Sequence, residues 1–430
     1  MKSCRFTSSS YSSASKFWNC NQNGSDVAFI GGMMRYLIKQ IEILNNDHHF
    51  QKKEFISITK GKLKEHADVD LLNEKLKYEI IDGQDCIFLP VVTDLYADLK
   101  TPGQEYKSIL DQEISAATAG GITTVCCQPD TDPVLDEPSL IKDLITKANK
   151  VFPINIKPIA AITKDLEGQQ IAEMKELYDA GAIGFSQAEK SIINTKVLLR
   201  AFEYAKTFGF TLFLRASENF LTENTFANES AIATRLGIRG SNKNAEVIEV
   251  LKYIALSKEI GTKIHLSKIS CRESLEIIAR AKNENINVSC DVSINQLLFT
   301  DQDIDLYNSN YHLSPPLRSK SDQDSILESI ELNIIDAVCS DHRPVEDDKK
   351  RLPFEESESG ASSFETFIPL IFKAAKIHRL NLEHLLSKIS YSPYKIVYGE
   401  RYDYLNNKNT DFCIYNKSHN WVASPNELKS

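Results

Sequence analysis

Short apolar runs recur along the middle of the chain, and amphipathic stretches with helical spacing separate them. The eight runs are CIFLPVV, GITTVCC, INIKPIAAI, AIGF, FTLFLR, KIHLSK, INVSCDV and IIDAVCS. Stretches such as NAEVIEVLKYIALSKEI and SLEIIARAKNEN place apolar residues at the intervals of a helix face. Strands that are each followed by a helix are typical of a TIM (β/α)8 barrel, which we predict over residues 86–400.

A different pattern precedes this region. Between residues 34 and 85, the runs YLIKQIEIL, FISITKGKL and LKYEIIDG alternate apolar and polar residues, as half-buried strands do. The run DFCIYN, within residues 401–430, is expected to return a strand to the same unit. The predicted fold class is therefore α/β, a TIM barrel with a small β-sandwich-like domain that the amino- and carboxyl-terminal segments form together.

Residues 1–33 differ from the rest in composition. The segment is rich in serine and has no acidic residue before Asp26, which is the composition of an organellar transit peptide. The run MMRYLIKQIEIL, which begins at Met33, would also serve as a natural start. We favour a disordered or spurious extension over a targeting peptide, and whether the segment belongs to the mature protein stays open.

Composition narrows the partners and the compartment. The 430-residue chain has a net charge of −9 and a pI near 5.6, which gives it no general attraction for nucleic acid. No stretch approaches the roughly 18 apolar residues that a membrane span needs. Nine cysteines without C-x-x-C pairs do not suggest a disulfide framework, so a cytoplasmic location is expected.

Polar and charged residues collect where the predicted barrel strands end. The first strand leads into Asp94, Tyr96, Asp98 and Lys100. Later strands lead into QPDTDP at 128–133, GFSQAEK at 184–190, LRASEN at 214–219, IHLSKIS at 264–270 and CSDHRP at 339–344. Because the carboxyl ends of barrel strands face one cavity, these residues predict a charged site there.

Several phrases carry a resemblance to a known family, among them AGGITTV, QPDTDP, LLFT, SPPLR, NIIDAVCSDHRP and SPYKI. From about residue 34 to residue 425, the chain resembles the dihydroorotases of the amidohydrolase superfamily, especially their longer type I form. The resemblance implies the fold of a metal-dependent hydrolase of pyrimidine biosynthesis. It also implies further strands after DFCIYN, so an open sheet edge is expected at this end.

The resemblance places the family's zinc ligands at positions that carry other residues here. In the family, histidines of strands one, five and six and a bridging group after strand four hold the metals. The corresponding residues are Tyr96, Asp98, Gln187 (or its neighbour Ala188), Arg215 and Lys268, and only the aspartate of strand eight is retained, as Asp341. Lysine and arginine are cations without a free lone pair near neutral pH. We expect no metal cofactor, and a salt-bridge cluster of Asp98, Arg215, Lys268 and Asp341 in its place.

The sequence also contains residues for two other chemistries, a single zinc ion and a cysteine nucleophile. One weakly bound zinc is the alternative, because Asp98 and Asp341 offer oxygen atoms. His265 and His342 also lie close in sequence to the strand-end residues Lys268 and Asp341. We favour core or lid positions for both histidines. A cysteine nucleophile at 126–127 lacks a neighbouring histidine in its motif.

The substrate positions implied by the resemblance also differ from the family pattern. They are Lys100, Asp130, Ser314 and Val345. A lysine in place of an arginine replaces a bidentate fork with a point charge, and a carboxylate at position 130 repels an anionic substrate. Hydrolysis of dihydroorotate through a metal-bound hydroxide is therefore not expected.

Three functions remain. The favoured hypothesis is a non-catalytic dihydroorotase homologue, a structural or regulatory subunit that assembles with aspartate carbamoyltransferase, as the resemblance implies for members without metal ligands. In it, pairs of barrels form a homo-oligomer inside a larger hetero-oligomer. The second hypothesis is an active dihydroorotase or a related cyclic-amide hydrolase with an unusual site. The third is an inactive amidohydrolase-like scaffold for another partner.

Overall fold

The structure is a computed structural model, and it describes residues 27–29, 35–59, 62–66, 78–151, 154–405, 412–418, 423–424 and 428–429. Its strands, in chain order, are β1 (Val27–Phe29), β2 (Arg35–Leu44), β3 (Phe50–Thr59), β4 (Lys62–His66), β5 (Glu79–Asp82), β6 (Cys86–Leu89), β7 (Thr93–Ala97), β8 (Thr124–Cys127), β9 (Asn155–Pro158), β10 (Ala160–Ala161), β11 (Phe185–Ser186), β12 (Thr211–Arg215), β13 (Ala227–Asn228), β14 (Gly240–Ser241), β15 (Lys263–Ser267), β16 (Val288–Ser293), β17 (Ala337–Cys339) and β18 (Cys413–Asn416).

The α-helices mostly follow the barrel strands. They are α1 (Leu110–Ala119), α2 (Pro138–Val151), α3 (Met174–Asp179), α4 (Thr195–Phe208), α5 (Asn219–Thr222), α6 (Ala231–Leu236), α7 (Asn244–Ile260), α8 (Arg272–Asn283), α9 (Ile294–Leu298), α10 (Lys320–Glu331), α11 (Asp347–Lys350), α12 (Phe367–His378), α13 (Leu382–Ser387) and α14 (Tyr391–Tyr398). None of the helices in these described ranges is both long enough and apolar enough to cross a membrane.

Parallel strands form the larger part of the molecule, as the alternation of strands and helices predicts. One sheet has the order β7-β8-β9 and another the order β10-β11-β12-β15-β16-β17. Ile159 links them, because β9 and β10 lie on either side of it. At the other end, a parallel bridge pairs Ala97 with His342, and the Asp98 amide donates to the His342 carbonyl at 2.8 Å. Strands of this order bring their carboxyl ends to one face of the fold.

The described strands of the small domain form one hydrogen-bonded mixed sheet of seven strands. Its order is β1-β18-β6-β2-β3-β4, and β5 also pairs with β2. The predicted return of DFCIYN is confirmed, because β18 pairs with β6 in antiparallel register from Cys413 opposite Leu89. The expected open edge is not at this strand, since β1 pairs with its other side. The edges of the described sheet are β1, β4 and β5, each of which pairs on one side alone.

Two boundaries differ from the predicted ones. The run CIFLPVV is not a barrel strand, because its first half is β6 of the small sheet and the first barrel strand, β7, begins only at Thr93. Pro90, which lies between the two strands, has no amide hydrogen to continue a ladder. Val27–Phe29 forms β1 although it falls in the segment predicted to be a disordered or spurious extension. The remainder of that segment lies outside the described residues.

Candidate functional site

The ammonium group of Lys268 lies at the centre of a buried ion-pair cluster. This residue directly follows β15 and its side chain is 1% exposed. Its Nζ donates to Glu189 Oε1 at 2.7 Å, to Asp341 Oδ1 at 3.0 Å and to the carbonyl oxygen of Ser314 at 2.8 Å. A lysine ammonium has three donors, so all of them are satisfied by protein groups.

Glu189 is the second centre of this cluster. Its carboxylate accepts hydrogen bonds from the Tyr96 hydroxyl at 2.5 Å and the Ser314 hydroxyl at 2.8 Å, and Arg215 Nε lies 3.7 Å away. We call Tyr96, Glu189, Arg215, Lys268, Ser314 and Asp341 the Lys268 cluster. These groups come from six segments of the chain, so the cluster ties the strand ends to one another.

Electrostatics favour charged forms for the central pair. Burial alone would raise the pKa of Glu189, but Lys268 and then Arg215 hold that pKa well below its usual range. Burial would likewise lower the pKa of Lys268, but Asp341 and Glu189 together raise it above its ordinary value. The Lys268 Nζ also lies 4.0 Å from the centroid of the Tyr96 ring, which is a cation–π contact. Lys268 is therefore a permanent cation near neutral pH.

Strained backbone accompanies these positions. Ala188, Lys268 and Asp341 follow three different barrel strands, and their φ angles are +52°, +54° and +54°. Residues with a Cβ atom rarely adopt this left-handed region, which costs about 1–3 kcal/mol and persists only where the surrounding structure fixes it. Such strain is typical of functional sites, and it marks the ends of these three strands as a candidate site.

A second group of charges lies beside the Lys268 cluster. Lys100 pairs with Asp98, and Arg343 Nε lies 3.8 Å from the same carboxylate. Burial and then Asp98 raise the pKa of Asp130 to about 6, and Arg343 opposes the shift. Because Lys100 is held by Asp98, its ammonium is not presented as a free anchor for a substrate carboxylate.

The predicted salt-bridge cluster is confirmed in one pair and differs in the others. Lys268 and Asp341 form an ion pair, as expected. Arg215 instead pairs with Glu189, and Asp98 pairs with Lys100 and Arg343. Sequence reasoning missed Glu189, although it is the acidic residue of GFSQAEK.

Arg343 was missed as well. It is part of the quoted phrase CSDHRP and faces both Asp98 and Asp130. The two carboxylates favour a positive charge at this strand end. Their proximity to Arg343 is visible only in the fold.

Gln187 and Val345 lie apart from the Lys268 cluster. The Gln187 amide and the Thr163 hydroxyl hydrogen-bond to each other at 2.9 and 3.0 Å. Val345 is partly buried and brings no polar side-chain atom. Gln187 and Val345 therefore contribute neither a charge nor a contact to the Lys268 cluster, although the resemblance assigns them to metal and substrate positions.

Both histidines near the site are held by other groups. His265 contacts Ser289 Oγ at 2.9 Å and Asp291 Oδ2 at 2.8 Å. His342 Nδ1 accepts from the Ser363 amide at 3.0 Å, so its Nε2 carries the proton and donates to Glu113 Oε2 at 2.7 Å. Their expected role as core histidines agrees with these contacts.

The residues present do not fit a zinc ion. Among the described ranges, no group of three or more histidine, cysteine, aspartate or glutamate side chains is arranged to hold a metal. A zinc ion at the Lys268 position would face an ammonium with a raised pKa and the Arg215 guanidinium, and neither offers a lone pair. Tyr96 is no better, because burial and then Glu189 raise its pKa well above its ordinary value.

The cysteine pair offers no nucleophile. Cys126 and Cys127 are both buried in β8. Burial raises the pKa of Cys127 to about 12, and burial also raises the pKa of Cys126 well above its ordinary value. The thiolate form that attacks a substrate is therefore negligible near neutral pH.

Comparison with known proteins decides the family. The model of the dihydro-orotase-like family matches residues 85–274. A dihydroorotase-like protein of Pseudomonas putida is 35% identical over 313 residues, which make up 73% of this chain and 74% of that protein. The chain belongs to the dihydroorotase-like family. A dihydroorotase of Caldicellulosiruptor saccharolyticus is 30% identical over 362 residues, 84% of each chain.

Solved structures confirm the fold of the family member. The L-hydantoinase (dihydropyrimidinase) of Arthrobacter aurescens matches with a TM-score of 0.73 and 20% identity over 88% of this chain and 86% of that chain. A D-hydantoinase matches with a TM-score of 0.74 and 19% identity over 92% of this chain and 90% of that chain. At this identity the likeness concerns the α/β architecture of TIM-barrel amidohydrolases alone.

Proposed function

We propose that this chain is a non-catalytic dihydroorotase homologue of the cytoplasm, a structural or regulatory subunit that assembles with aspartate carbamoyltransferase in pyrimidine biosynthesis. The observation that carries the proposal is the Lys268 ammonium, which donates to Glu189 and Asp341 at the ends of the barrel strands. A protein cation there takes the electrostatic place that a metal would need. Family membership supports the pathway.

Loss of catalysis follows from the charges of the site. Hydrolysis of a cyclic amide at a metal centre depends on a metal-bound hydroxide and on a metal that polarises the carbonyl. Lys268 stays protonated, and Arg215 is never deprotonated in proteins, so neither generates a nucleophile from water. Asp341 alone has the position of a catalytic base, and it is already bound to Lys268.

A structural role requires a sound core, and the burial of apolar side chains supports one. Most buried apolar side chains of the barrel and of the small sheet belong to one continuous cluster that includes Ile38, Phe88, Phe202 and Phe367, and smaller clusters add to it. The departures from the family pattern concentrate at the strand ends, where they alter chemistry rather than packing. We take the eight strand positions as one closed barrel, and we propose that barrels pair symmetrically to hold carbamoyltransferase subunits together.

An active dihydroorotase or related cyclic-amide hydrolase is the second candidate. The retained Asp341 and the 30% identity to a dihydroorotase favour it. Against it stand the Lys268 cluster and the pairing of Lys100 with Asp98, which removes the anchor for a substrate carboxylate.

Co-expression tests the assembly directly. The chain and aspartate carbamoyltransferase of the same organism are expressed together, separated by size exclusion and assayed for carbamoyl transfer, with carbamoyltransferase expressed alone as the control. We expect the two chains to elute as one complex and the transferase to be less active or less stable without its partner. A transferase that elutes alone and is equally active without this chain would contradict the proposal.

A further inference from the structure

A polar cavity lies beside the Lys268 cluster and is partly open to solvent. Its volume is about 270 Å³, and its lining includes Arg215, Ser217, Phe226, His312, Arg318 and Ser359. This volume is smaller than the usual range for drug-sized ligands, roughly 300–1,000 Å³, so the cavity suits a small metabolite.

The acidic groups that border this cavity are already held by the protein. The Glu189 carboxylate accepts from Lys268, Tyr96 and Ser314. Glu246 accepts from the backbone amides of Ser270 and Cys271. Their acceptor capacity is therefore largely used within the protein, and they do not present a free anionic surface to the cavity.

The cations at the cavity are in a different position. Arg318 is largely engaged, because its Nε donates to Ser270 Oγ and its Nη1 donates to Asn228 Oδ1 and the Ser241 carbonyl. The Arg215 guanidinium donates from Nη1 to the Ala216 carbonyl at 2.9 Å, but its buried Nε has no hydrogen-bond partner among the described residues. The Glu189 oxygen at 3.7 Å orients this group and is too distant for a hydrogen bond.

Hydroxyl donors at the rim are also available. Within the described residues, the side-chain hydroxyls of Ser217 and Ser359 line the cavity and make no hydrogen bond. Arg343 lines the cavity too, but its Nε, like that of Arg215, is enclosed by protein atoms. The Arg215 Nη2 group makes no hydrogen bond in the described part of the chain, so it is the guanidinium donor left for a ligand acceptor.

We propose that this cavity binds a small organic carboxylate, with the Arg215 guanidinium as the principal anchor and the hydroxyls of Ser217 and Ser359 as further donors. A carboxylate matches the planar fork of arginine better than a spherical anion does. The site goes beyond the proposed assembly function: the side chain that stands in a metal-ligand position becomes the recognition group for an anionic ligand. The fraction of cavities that hold the ligand would then follow the concentration of that metabolite. The chain would transmit this signal to its assembly partner.

Isothermal titration calorimetry on the full chain at pH 7 tests this. The probes are acetate, succinate and citrate, with succinamide as a neutral analogue and inorganic phosphate as a non-carboxylate anion. At least one carboxylate is expected to bind, while succinamide and phosphate bind at least tenfold more weakly. The variant Arg215→Gln is expected to raise the Kd of that carboxylate at least tenfold. Arg235→Gln is the matched control, because Arg235 is an exposed arginine that pairs with Asp305, and it should leave the Kd unchanged within twofold.

Three outcomes would overturn the proposal. They are the absence of binding by all three carboxylates, binding of phosphate as tight as that of the carboxylate, or an Arg215→Gln protein that binds the carboxylate with the Kd of the parent. If Arg215→Gln does not fold by near-ultraviolet circular dichroism, Ser217→Val decides in its place. This variant leaves the Lys268 cluster intact and is expected to raise the Kd at least threefold, and an unchanged Kd would overturn the assignment.

Discussion

Replacing Lys268 with methionine should destabilise the protein far more than removing a surface lysine. The substitution keeps most of the side-chain volume and removes three hydrogen bonds and a buried positive charge. The Asp341 carboxylate loses the most stabilisation, because its side chain is 7% exposed and Lys268 is its one ion-pair partner among the described residues. Glu189 is 22% exposed and keeps Arg215, Tyr96 and Ser314, so solvent and these partners screen part of its loss.

The expected loss of stability follows from the difference in exposure and partners between Asp341 and Glu189. Removing one partner of a buried ion pair costs about 3–5 kcal/mol, because it leaves an uncompensated charge. We expect about 3 kcal/mol for Lys268→Met, the lower end, since Glu189 keeps other partners. Urea unfolding at pH 7 measures the change. Lys258→Met is the matched control, because Lys258 forms a 2.6 Å pair with Glu284 in which both side chains are more than half exposed, and it should cost less than about 1 kcal/mol.

A second substitution makes the reasoning refutable in both directions. Asp341→Leu in the Lys268→Met background removes the stranded carboxylate, so the double variant should recover at least half of the lost stability. The reasoning fails if Lys268→Met costs no more than Lys258→Met. It fails equally if the double variant is as unstable as Lys268→Met.

Three further predictions concern acidity, backbone space and buried donors. Burial and Asp98 raise the pKa of Asp130 from 3.8 to about 6, so the folded state binds more protons than the unfolded state in that interval and stability falls as the pH rises through it; Asp130→Asn should flatten this fall and be more stable than the parent at pH 7 by urea unfolding, and an unchanged pH profile contradicts it. Gly103 has a φ of +87°, and a Cβ there would lie 1.4 Å from the Asp132 carbonyl oxygen, so Gly103→Ala should lower the thermal midpoint by several degrees, whereas an unchanged midpoint would show that the loop yields freely. Glu246→Ala leaves two buried amides without an acceptor and should cost about 2 kcal/mol in urea unfolding, and a cost no larger than that of the exposed Glu284→Ala would refute this.

The order of the strands was readable from the sequence, and the sheet to which one strand belongs was not. Seven of the eight apolar runs contain barrel strands, because a strand buried on both faces needs a continuous apolar run. CIFLPVV was misassigned for the same reason. Its residues are buried in the small sheet, and an apolar run reports burial without reporting which sheet provides it.

The site was predictable in its location and not in its pairings. Of the four residues predicted to form one cluster, Arg215, Lys268 and Asp341 lie together, because parallel strands bring their carboxyl ends together. The fourth, Asp98, pairs instead with Lys100 and Arg343. Glu189 was missed because the chain leaves strand geometry after β11, and the positive φ of Ala188 breaks the alternation by which facing side chains are counted. The contact of Lys268 with the Ser314 carbonyl spans 46 residues and follows from tertiary packing alone.

Turnover of dihydroorotate by the purified chain, measured together with its zinc content, tests the central claim most directly. The chain is incubated with excess zinc, freed of unbound metal and assayed for ring opening, with an active dihydroorotase as the positive control. We expect substoichiometric zinc and no hydrolysis above the uncatalysed rate, because the positions that the resemblance assigns to metal ligands carry the cations Lys268 and Arg215, which pair with Glu189. Stoichiometric zinc with turnover near the range typical of enzymes, about 1 s⁻¹ or faster, would contradict the account.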